Sequence, residues 1–238
     1  MKILITADLH IHPHPMFDTY SPESDRLGDG LRVLRWLGDL CKEHRVDVLV
    51  IAGDLFHRRH QIGVKVYNAV WGEMQIVKEK VEKIVLIAGN HDQSNYMDTA
   101  LAPFRQEGIE VVEEATRFVW GELVVDCTPY REEPEHALAD ILRLGPPPFS
   151  TLPPLLITHQ SVYGARRGSF EYTPPHSLRV EDVPLQYPLI LSGHYHQPHN
   201  IEDRWQYVGS PLQLDRSDRG QEKSVLLLDY NSPLYPKW

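Results

Sequence analysis

The sequence predicts an α/β protein that folds as a four-layer α/β/β/α sandwich of two mixed sheets. Three observations support this fold: short apolar runs typical of buried strands, helical periodicity between the first of these runs, and a second half made mostly of further short strands. The chain has 238 residues, of which 42% are hydrophobic and 24% charged, as in a folded protein with an extensive core. We therefore expect a single domain that covers residues 1–238.

Strands and helices alternate in the first half of the chain. We predict strands at residues 2–7, 47–52 and 83–88, where Val, Ile and Leu form nearly continuous runs. Between these runs, apolar residues recur at helical spacing over residues 31–40 and again over residues 66–77. This order implies right-handed crossovers and therefore a parallel sheet.

The second half is predicted to start a second sheet with more antiparallel pairing. A hairpin turn at Gly121 and Glu122 separates two short strands, and a helix is expected over residues 134–144. The proline-rich segment that follows, residues 145–154, is typical of a surface connection. The strands expected in this half cover residues 110–113, 117–120, 123–127, 155–158, 189–192, 205–208 and 224–229.

Charge and composition exclude several classes of protein. A formal net charge of -9 argues against coating nucleic acid by bulk electrostatics, because counterion release needs clustered Lys and Arg. A phosphate substrate would need local positive charge, which bound divalent ions can supply. The apolar run at the N-terminus breaks at Asp8, so we expect no signal peptide, no membrane segment and a cytoplasmic protein. Cys41 and Cys127 lie outside any metal-binding or redox spacing and are expected to be buried.

Polar residues that can bind a metal follow five of the apolar runs directly. Because ligands bind beyond the carboxyl ends of strands in α/β sheets, we expect these side chains to converge on one rim. Glycines at positions 53, 89 and 193 allow sharp turns or close approaches there. The residues are Asp8 with His10, Asp54, Asn90 with His91, His159, and His194 with His196.

The donor types in this set favour a particular group of metals. Carboxylate, amide and imidazole ligands without thiolate suit Mn, Fe or Zn better than Mg or Ca, and we expect two divalent ions, with Mn²⁺ used for activity. Two ions that share one carboxylate can lie about 3.5–4 Å apart and clamp the attacking and leaving oxygens of an in-line displacement. The sequence therefore predicts a two-metal hydrolase.

The ordered strings DLH, GDLFH, GNHD, TH and GHYH resemble those of the calcineurin-like metallophosphoesterases. The fuller strings GDLFH, ITHQSV and YVGSPLQ resemble the SbcD-type branch of that superfamily, and the resemblance runs from Met1 to about Asp229. It implies the fold of that superfamily and two sets of metal ligands. The first ion would be held by Asp8, His10, Asp54 and His196, and the second by Asp54, Asn90, His159 and His194.

The resemblance also implies roles for two further histidines and an activity. His91 corresponds to a catalytic histidine that protonates the leaving oxygen or stabilises charge, and His57 to a histidine that positions the phosphate. The implied activity is a metal-dependent DNA exonuclease or endonuclease in DNA repair, recombination or end processing. Implied partners are DNA, an SbcC-type ATPase and a second copy of the chain. The capping region and the ATPase-docking segment that such nucleases carry after the metal core are expected to be missing.

Several features of the sequence have a simpler explanation. The polar residues at the strand ends could be strand caps, although five occurrences together make this unconvincing. His12 could extend the metal cluster, but Pro13 beside it suggests a solvated loop, and His199 is also expected in an exposed loop. Arg58, Arg59, Arg166 and Arg167 could contact a DNA backbone, with Tyr163, Phe170 and Tyr172 offering stacking faces, or could simply be solvated.

Two other functions compete with the nuclease hypothesis. The first is a phosphodiesterase or phosphatase for a small molecule, a nucleotide or a phosphoprotein, with the same ions and the same histidine. The second is a non-catalytic scaffold that binds DNA or an ATPase, against which the complete set of ligand residues argues. The motif detail in GDLFH and ITHQSV favours the nuclease.

Overall fold

The strands and helices of the computed structural model follow the predicted order. The structure describes residues 1–13, 25–59, 61–95, 98–148, 152–167, 170–171 and 177–230, with no side-chain description at 167, 170 and 171. The helices are α1 (Arg26–His44), α2 (Val64–Lys78) and α3 (Pro134–Arg143). The strands are β1 (Lys2–Thr6), β2 (Val48–Ala52), β3 (Lys83–Ile87), β4 (Ile109–Val112), β5 (Thr116–Trp120), β6 (Leu123–Cys127), β7 (Leu155–His159), β8 (Arg166–Arg167), β9 (Phe170–Glu171), β10 (Leu189–Gly193), β11 (His199–Ile201), β12 (Trp205–Tyr207) and β13 (Leu226–Asp229).

The strands form two mixed sheets and a small ribbon. The first sheet has the order β13-β1-β2-β3-β4, in which β1 to β4 are parallel and β13 is antiparallel to β1. The second has the order β11-β12-β10-β7-β6-β5. Its central pairs are parallel and only β5 and β11 pair antiparallel, so our prediction of a more antiparallel second sheet was wrong in its centre. The strands β8, β9 and β11 were not predicted, and β8 pairs with β9 in a two-stranded ribbon.

The apolar side chains divide into three clusters that define the layers. Alternate residues of a strand face opposite sides, so Leu49 packs under α1 and α2 while Val50 points to the other sheet. The second cluster fills the space between the two sheets and includes Ile5, Val125 and Ile157. The third covers the outer face of the second sheet, beneath α3. Helices, sheet, sheet and helix therefore stack as the predicted four layers.

Helix α1 begins earlier than its apolar stripe predicts. The Asp25 side chain caps the helix by accepting a hydrogen bond of 3.0 Å from the Leu27 amide. The helix ends at Arg45, whose left-handed backbone (φ 55°) lets its N–H donate to the carbonyls of Cys41 and Lys42. Cys41 and Cys127 are both buried free thiols, as predicted. None of the helices in the described ranges combines the length and the apolarity needed to cross a membrane.

Candidate metal centre

All seven predicted metal ligands lie where strands end, and they meet at the seam between the two sheets. The first sheet contributes the residues after β1, β2 and β3, and the second contributes those at the ends of β7 and β10. Hydrogen bonds join the sheets here: the His194 amide donates to both oxygens of the Asp8 carboxylate, and His159 Nδ1 donates to the Ala52 carbonyl at 2.8 Å. The predicted convergence on one rim is therefore present. The assignment of each side chain as a ligand stays a prediction.

Asp54 lies at the middle of this group. Its Oδ1 accepts a hydrogen bond of 2.8 Å from the His91 amide. Its Oδ2 lies 3.4 Å from His10 Nε2 and 3.4 Å from His159 Nε2. Since His10 belongs to the set predicted for the first ion and His159 to the set for the second, one oxygen faces both sets equally. A carboxylate in this position could contribute to both predicted sets.

The donor atoms predicted for the first ion lie close together. One ligand atom from each of Asp8, His10 and His196 falls within 4.8 Å of the others. Asp8 Oδ1 is 4.0 Å from His10 Nε2, and the Asp8 carboxylate is fixed by hydrogen bonds of 3.1 and 3.2 Å from the His194 amide. These separations allow one cation to contact all three side chains.

In the second set, two ring nitrogens and the Asn90 side-chain oxygen lie within hydrogen-bond distance of one another. His159 Nδ1 carries a proton because it faces the Ala52 carbonyl, so neutral His159 has its lone pair at Nε2. That atom lies 3.1 Å from Asn90 Oδ1, which in turn lies 3.0 Å from His194 Nδ1. A cation that displaces the His159 proton could bind among these three atoms. Without one, the Asn90 amide would have to turn over so that its nitrogen donates to the ring nitrogens.

Burial and charge set the protonation of the metal-free site. Burial lowers the pKa of His159, but the neighbouring Asp54 carboxylate more than reverses this and raises it to about 9. Burial raises the pKa of Asp8 to about 6. Burial and the adjacent His159 lower the pKa of His194 to about 3. His159 is thus a group whose proton a binding cation must displace near neutral pH.

The backbone at the site is held in an uncommon conformation. Among the described residues other than glycine, six have φ between 46° and 91°, and four of these are predicted ligands: Asp8, His10, Asp54 and His194. Such left-handed conformations cost about 1–3 kcal/mol for residues with a side chain and persist where the surroundings determine them. Here the amides of Asp8 and His10 donate to the carbonyls of Gly53 and Asp54, so the loops after β1 and β2 hold each other.

All three glycines predicted to matter make room for ligand side chains. A methyl group on Gly53 would overlap the His159 imidazole, and one on Gly89 would overlap the Asp54 carboxylate. A methyl group on Gly193 would lie 2.7 Å from the Ala7 side chain and from His159 Nδ1. These glycines therefore permit the close packing of the ligands on each other.

Asp92, which sequence reasoning did not single out, holds two of the ligand loops together. Its side chain is 1% exposed and accepts hydrogen bonds from three backbone amides. The donors are Phe56 at 3.0 Å and Leu55 at 3.3 Å in the loop after β2, and Gly89 at 3.1 Å in the loop after β3. The only sequence signal was the last letter of GNHD.

The histidines predicted to act on substrate lie beside the first set of ligands. His91 Nδ1 donates to the His57 carbonyl at 2.5 Å, and ligand atoms of His10, His57 and His91 lie within 4.8 Å of one another. Burial and then the charge of neighbouring rings lower the pKa of His57 to about 4, so its imidazole is neutral at pH 7. His12 stacks on His57 with ring centroids 4.0 Å apart and is half-buried, so its prediction as an exposed residue was wrong.

The site opens into a cleft of about 520 Å³. Arg166 is exposed and lines it. Arg59 is exposed and its guanidinium lies 2.8 Å from the Asn90 amide, and Arg58 is exposed. The side chains of Arg167 and of the stacking candidates Phe170 and Tyr172 lie outside the described part of the structure.

The two remaining predictions for this region concern Tyr163 and His199. Tyr163 is exposed, and the guanidinium carbon of Arg179 lies 4.7 Å from its ring centroid. His199 is half-buried in β11, accepts a hydrogen bond of 3.0 Å from the Arg166 amide and stacks on Tyr207, so its prediction as an exposed loop residue was wrong.

Comparisons with known proteins give one family and several distant relatives. A family model described as calcineurin-like phosphoesterase matches residues 1–198. The SbcD component of the SbcCD nuclease of Rhodobacter capsulatus is 24% identical over 287 residues, an alignment that covers 100% of this chain and 68% of the relative. The crystal structure of the Pseudomonas putida nuclease MPE is similar at 18% identity and a TM-score of 0.38, covering 86% of this chain and 66% of that chain. A dimetal phosphatase from Danio rerio is similar at 14% identity and a TM-score of 0.48, covering 87% of this chain and 86% of that chain.

Proposed function

The chain belongs to the calcineurin-like phosphoesterase family, and from that membership we propose that it hydrolyses phosphodiester bonds in DNA with two divalent ions. The observation that carries this proposal is the position of Asp54 Oδ2, which lies 3.4 Å from an imidazole nitrogen of each predicted ligand set. The ring nitrogens of His159 and His194 add support, because they lie 3.1 and 3.0 Å from Asn90 Oδ1 and one cation could bind among these three atoms.

Seven side chains would hold the two ions, and Asp54 would belong to both sets. The first set is Asp8, His10, Asp54 and His196, and the second is Asp54, Asn90, His159 and His194. Mn²⁺ is the metal we propose for activity, with Fe or Zn as alternatives, because the donors are carboxylate, amide and imidazole. When bound, the ions would supply Lewis-acid charge at the phosphoryl group and activate the attacking water.

His91 is the proposed general acid. Its Nδ1 proton is held by the His57 carbonyl, so in the imidazolium form Nε2 carries the second proton and can deliver it to the leaving oxygen. The same hydrogen bond fixes the orientation of the ring. A general acid held in this way protonates the leaving group without a search of rotamers.

His57 has a different role in the proposal. Because burial keeps its imidazole neutral, it cannot serve as a general acid near neutral pH. A neutral ring can still donate one hydrogen bond to a non-bridging phosphoryl oxygen. Its stacking between His12 and His91, at centroid distances of 4.0 and 5.4 Å, holds the ring in place for that contact.

Two observations favour DNA as the substrate. A relative whose alignment covers the whole chain is a component of a nuclease. Exposed arginines stand at the cleft, Arg166 in its lining and Arg59 beside Asn90. With a net charge of -9, the chain would bind a phosphate backbone through these local cations and the ions. An SbcC-type ATPase and a homodimer are the proposed partners, and DNA end processing, repair or recombination in the cytoplasm is the proposed setting.

A small phosphodiester is the second candidate substrate. The cleft volume of about 520 Å³ falls within the range of roughly 300–1,000 Å³ typical of small-molecule sites. Such a substrate would use the same ions, His91 and His57, and would not need Arg166.

The proposal is tested by incubating the protein and Mn²⁺ with end-labelled duplex DNA, single-stranded DNA and a generic aryl phosphodiester. Asp54→Asn is the control, since it removes the shared oxygen's charge with little change in shape. Cleavage of DNA by the wild type alone supports the proposal. Hydrolysis of the generic ester with DNA intact would favour the small-molecule function, and an inactive wild type with both ions bound would favour a scaffold.

A further inference from the structure

Residues that follow β12 in the chain form hydrogen bonds with the backbone of His196. The carbonyl of His196 accepts hydrogen bonds from the Ser210 amide at 3.0 Å, the Ser210 hydroxyl at 3.3 Å and Lys223 Nζ at 2.8 Å. Ser210 belongs to the string YVGSPLQ, whose contribution to the site the sequence left open. Ser210 and Lys223 thus hold the backbone of this predicted ligand through three hydrogen bonds.

Asp218 approaches the same histidine from its side-chain end. It closes a short 3₁₀ turn, Arg216–Asp218, and is only 2% exposed. Its Oδ2 lies 3.6 Å from His196 Nδ1 and accepts a hydrogen bond of 2.8 Å from the Leu214 amide. Its Oδ1 lies 3.2 Å from Lys223 Nζ, so the buried carboxylate is compensated by a cation.

A ring nitrogen facing a carboxylate has a known chemical consequence. Metal-bound histidines usually direct their second ring nitrogen to a carboxylate or carbonyl, which fixes the tautomer and the ring orientation and makes the ligand more basic. His159 meets this condition through the Ala52 carbonyl. For His196, the group in that position is Asp218, which keeps the proton on Nδ1 and leaves the lone pair on Nε2.

We propose that Asp218 is a positioning residue that orients His196 as a ligand of the first ion, and that Lys223 keeps the Asp218 carboxylate beside His196. This inference rests on the proposed two-metal site but not on the substrate. Lys223 contacts both partners, the Asp218 carboxylate and the His196 carbonyl, so one ammonium group links the 3₁₀ turn to the ligand-bearing loop. Asp218 acts through His196 and touches no substrate.

A purely structural salt bridge between Asp218 and Lys223 is the competing explanation. It predicts that Asp218→Asn lowers the stability of the metal-free protein and leaves ion binding unchanged. The positioning role predicts a loss of affinity for one ion only. It also predicts that the loss depends on His196.

The test is Mn²⁺ titration of the metal-free full chain by calorimetry, with electron paramagnetic resonance to distinguish a coupled ion pair from a single ion. Asp218→Asn should weaken one of the two ions by about 10–100-fold, and Asp218→Glu should recover part of the affinity. In a His196→Ala background, Asp218→Asn should change affinity less than about twofold, because the residue through which it acts is gone. The matched control is Asp182→Asn, since Asp182 ends the 3₁₀ turn Val180–Asp182 but is exposed.

A second measurement covers the case in which Asp218→Asn does not fold. Imidazole ¹⁵N NMR of the wild-type, metal-free protein, at a pH where His196 is neutral, should show the proton on Nδ1. A proton on Nε2 would overturn the proposal, as would wild-type Mn²⁺ binding in Asp218→Asn or an equal loss of affinity with His196 already removed.

Discussion

Replacing Gly53 by alanine should damage both stability and the metal centre. Gly53 has φ 92°, which costs an alanine about 1–2 kcal/mol. The added methyl group would also overlap the His159 imidazole, and forced overpacking costs about 1–3 kcal/mol more. The free energy of unfolding of the metal-free protein should therefore fall by about 2–5 kcal/mol. Urea denaturation monitored by circular dichroism measures this, and Mn²⁺ titration should show weaker binding of the second ion because His159 must move.

Gly121→Ala separates the two contributions. Gly121 has φ 62° at the hairpin between β5 and β6, but a methyl group there would meet no atom within 4 Å. This variant should lose only the backbone part, about 1–2 kcal/mol, and should bind both ions normally. If Gly53→Ala lost no more stability than Gly121→Ala and kept its second ion, the inferred packing of His159 against Gly53 would be refuted.

Three further predictions address catalysis, protonation and substrate binding. His91→Asn should retain both ions and reduce kcat by about 10²–10⁴-fold, and loss of an ion on titration would contradict its role as general acid. Because the pKa of His159 is raised to about 9, affinity for the second ion should rise by up to about tenfold per pH unit between about pH 7 and pH 9. The same proton stabilises the metal-free protein fully below the unfolded pKa of about 6.5, and this stabilisation is lost as pH rises through about 9. Between about pH 7 and pH 9, affinity for the second ion should therefore rise while the free energy of unfolding of the metal-free protein falls. A rise or a fall of both together would count against the assignment. Arg166→Ala should weaken DNA binding and reduce the slope of log affinity against log salt concentration by about one, the value for one phosphate contact. Hydrolysis of a generic ester should be unchanged. An unaltered slope would exclude a contact between Arg166 and a phosphate.

Much of the fold could be predicted because apolar runs directly report strands buried on both faces. For strands that carry ligands, such as β1 and β7, the predicted bounds lie within one or two residues of the observed bounds. Strand β11 was missed because it has three residues, one of them His199, and no apolar run. The start of α1 was missed because its cap and first turn are polar and lie before the leucine stripe.

The site was predictable to the extent that its residues follow strands. Carboxyl ends of parallel strands share an edge, so the convergence of Asp8 with Asp54 followed from topology alone. Asp92 and Asp218 could not be found in this way, because their partners are backbone amides and a side chain brought near by the tertiary fold. No local spacing distinguishes them from solvated acids.

The pairing of β13 with β1 has a consequence for the order of folding and ion binding during synthesis. Strand β1 leads directly to Asp8 and His10, and its outer neighbour in the described sheet comes from residues more than 220 positions later, with Lys2 opposite Asp229. Contacts of such long range form late and slowly. While β13 is still inside the ribosome, β1 is an unpaired edge strand of the sheet, and Asp8 and His10 follow it directly. We therefore expect tight ion binding only after β13 has left the ribosome. Mn²⁺ retention by stalled nascent chains that end before β13 would contradict this order of events.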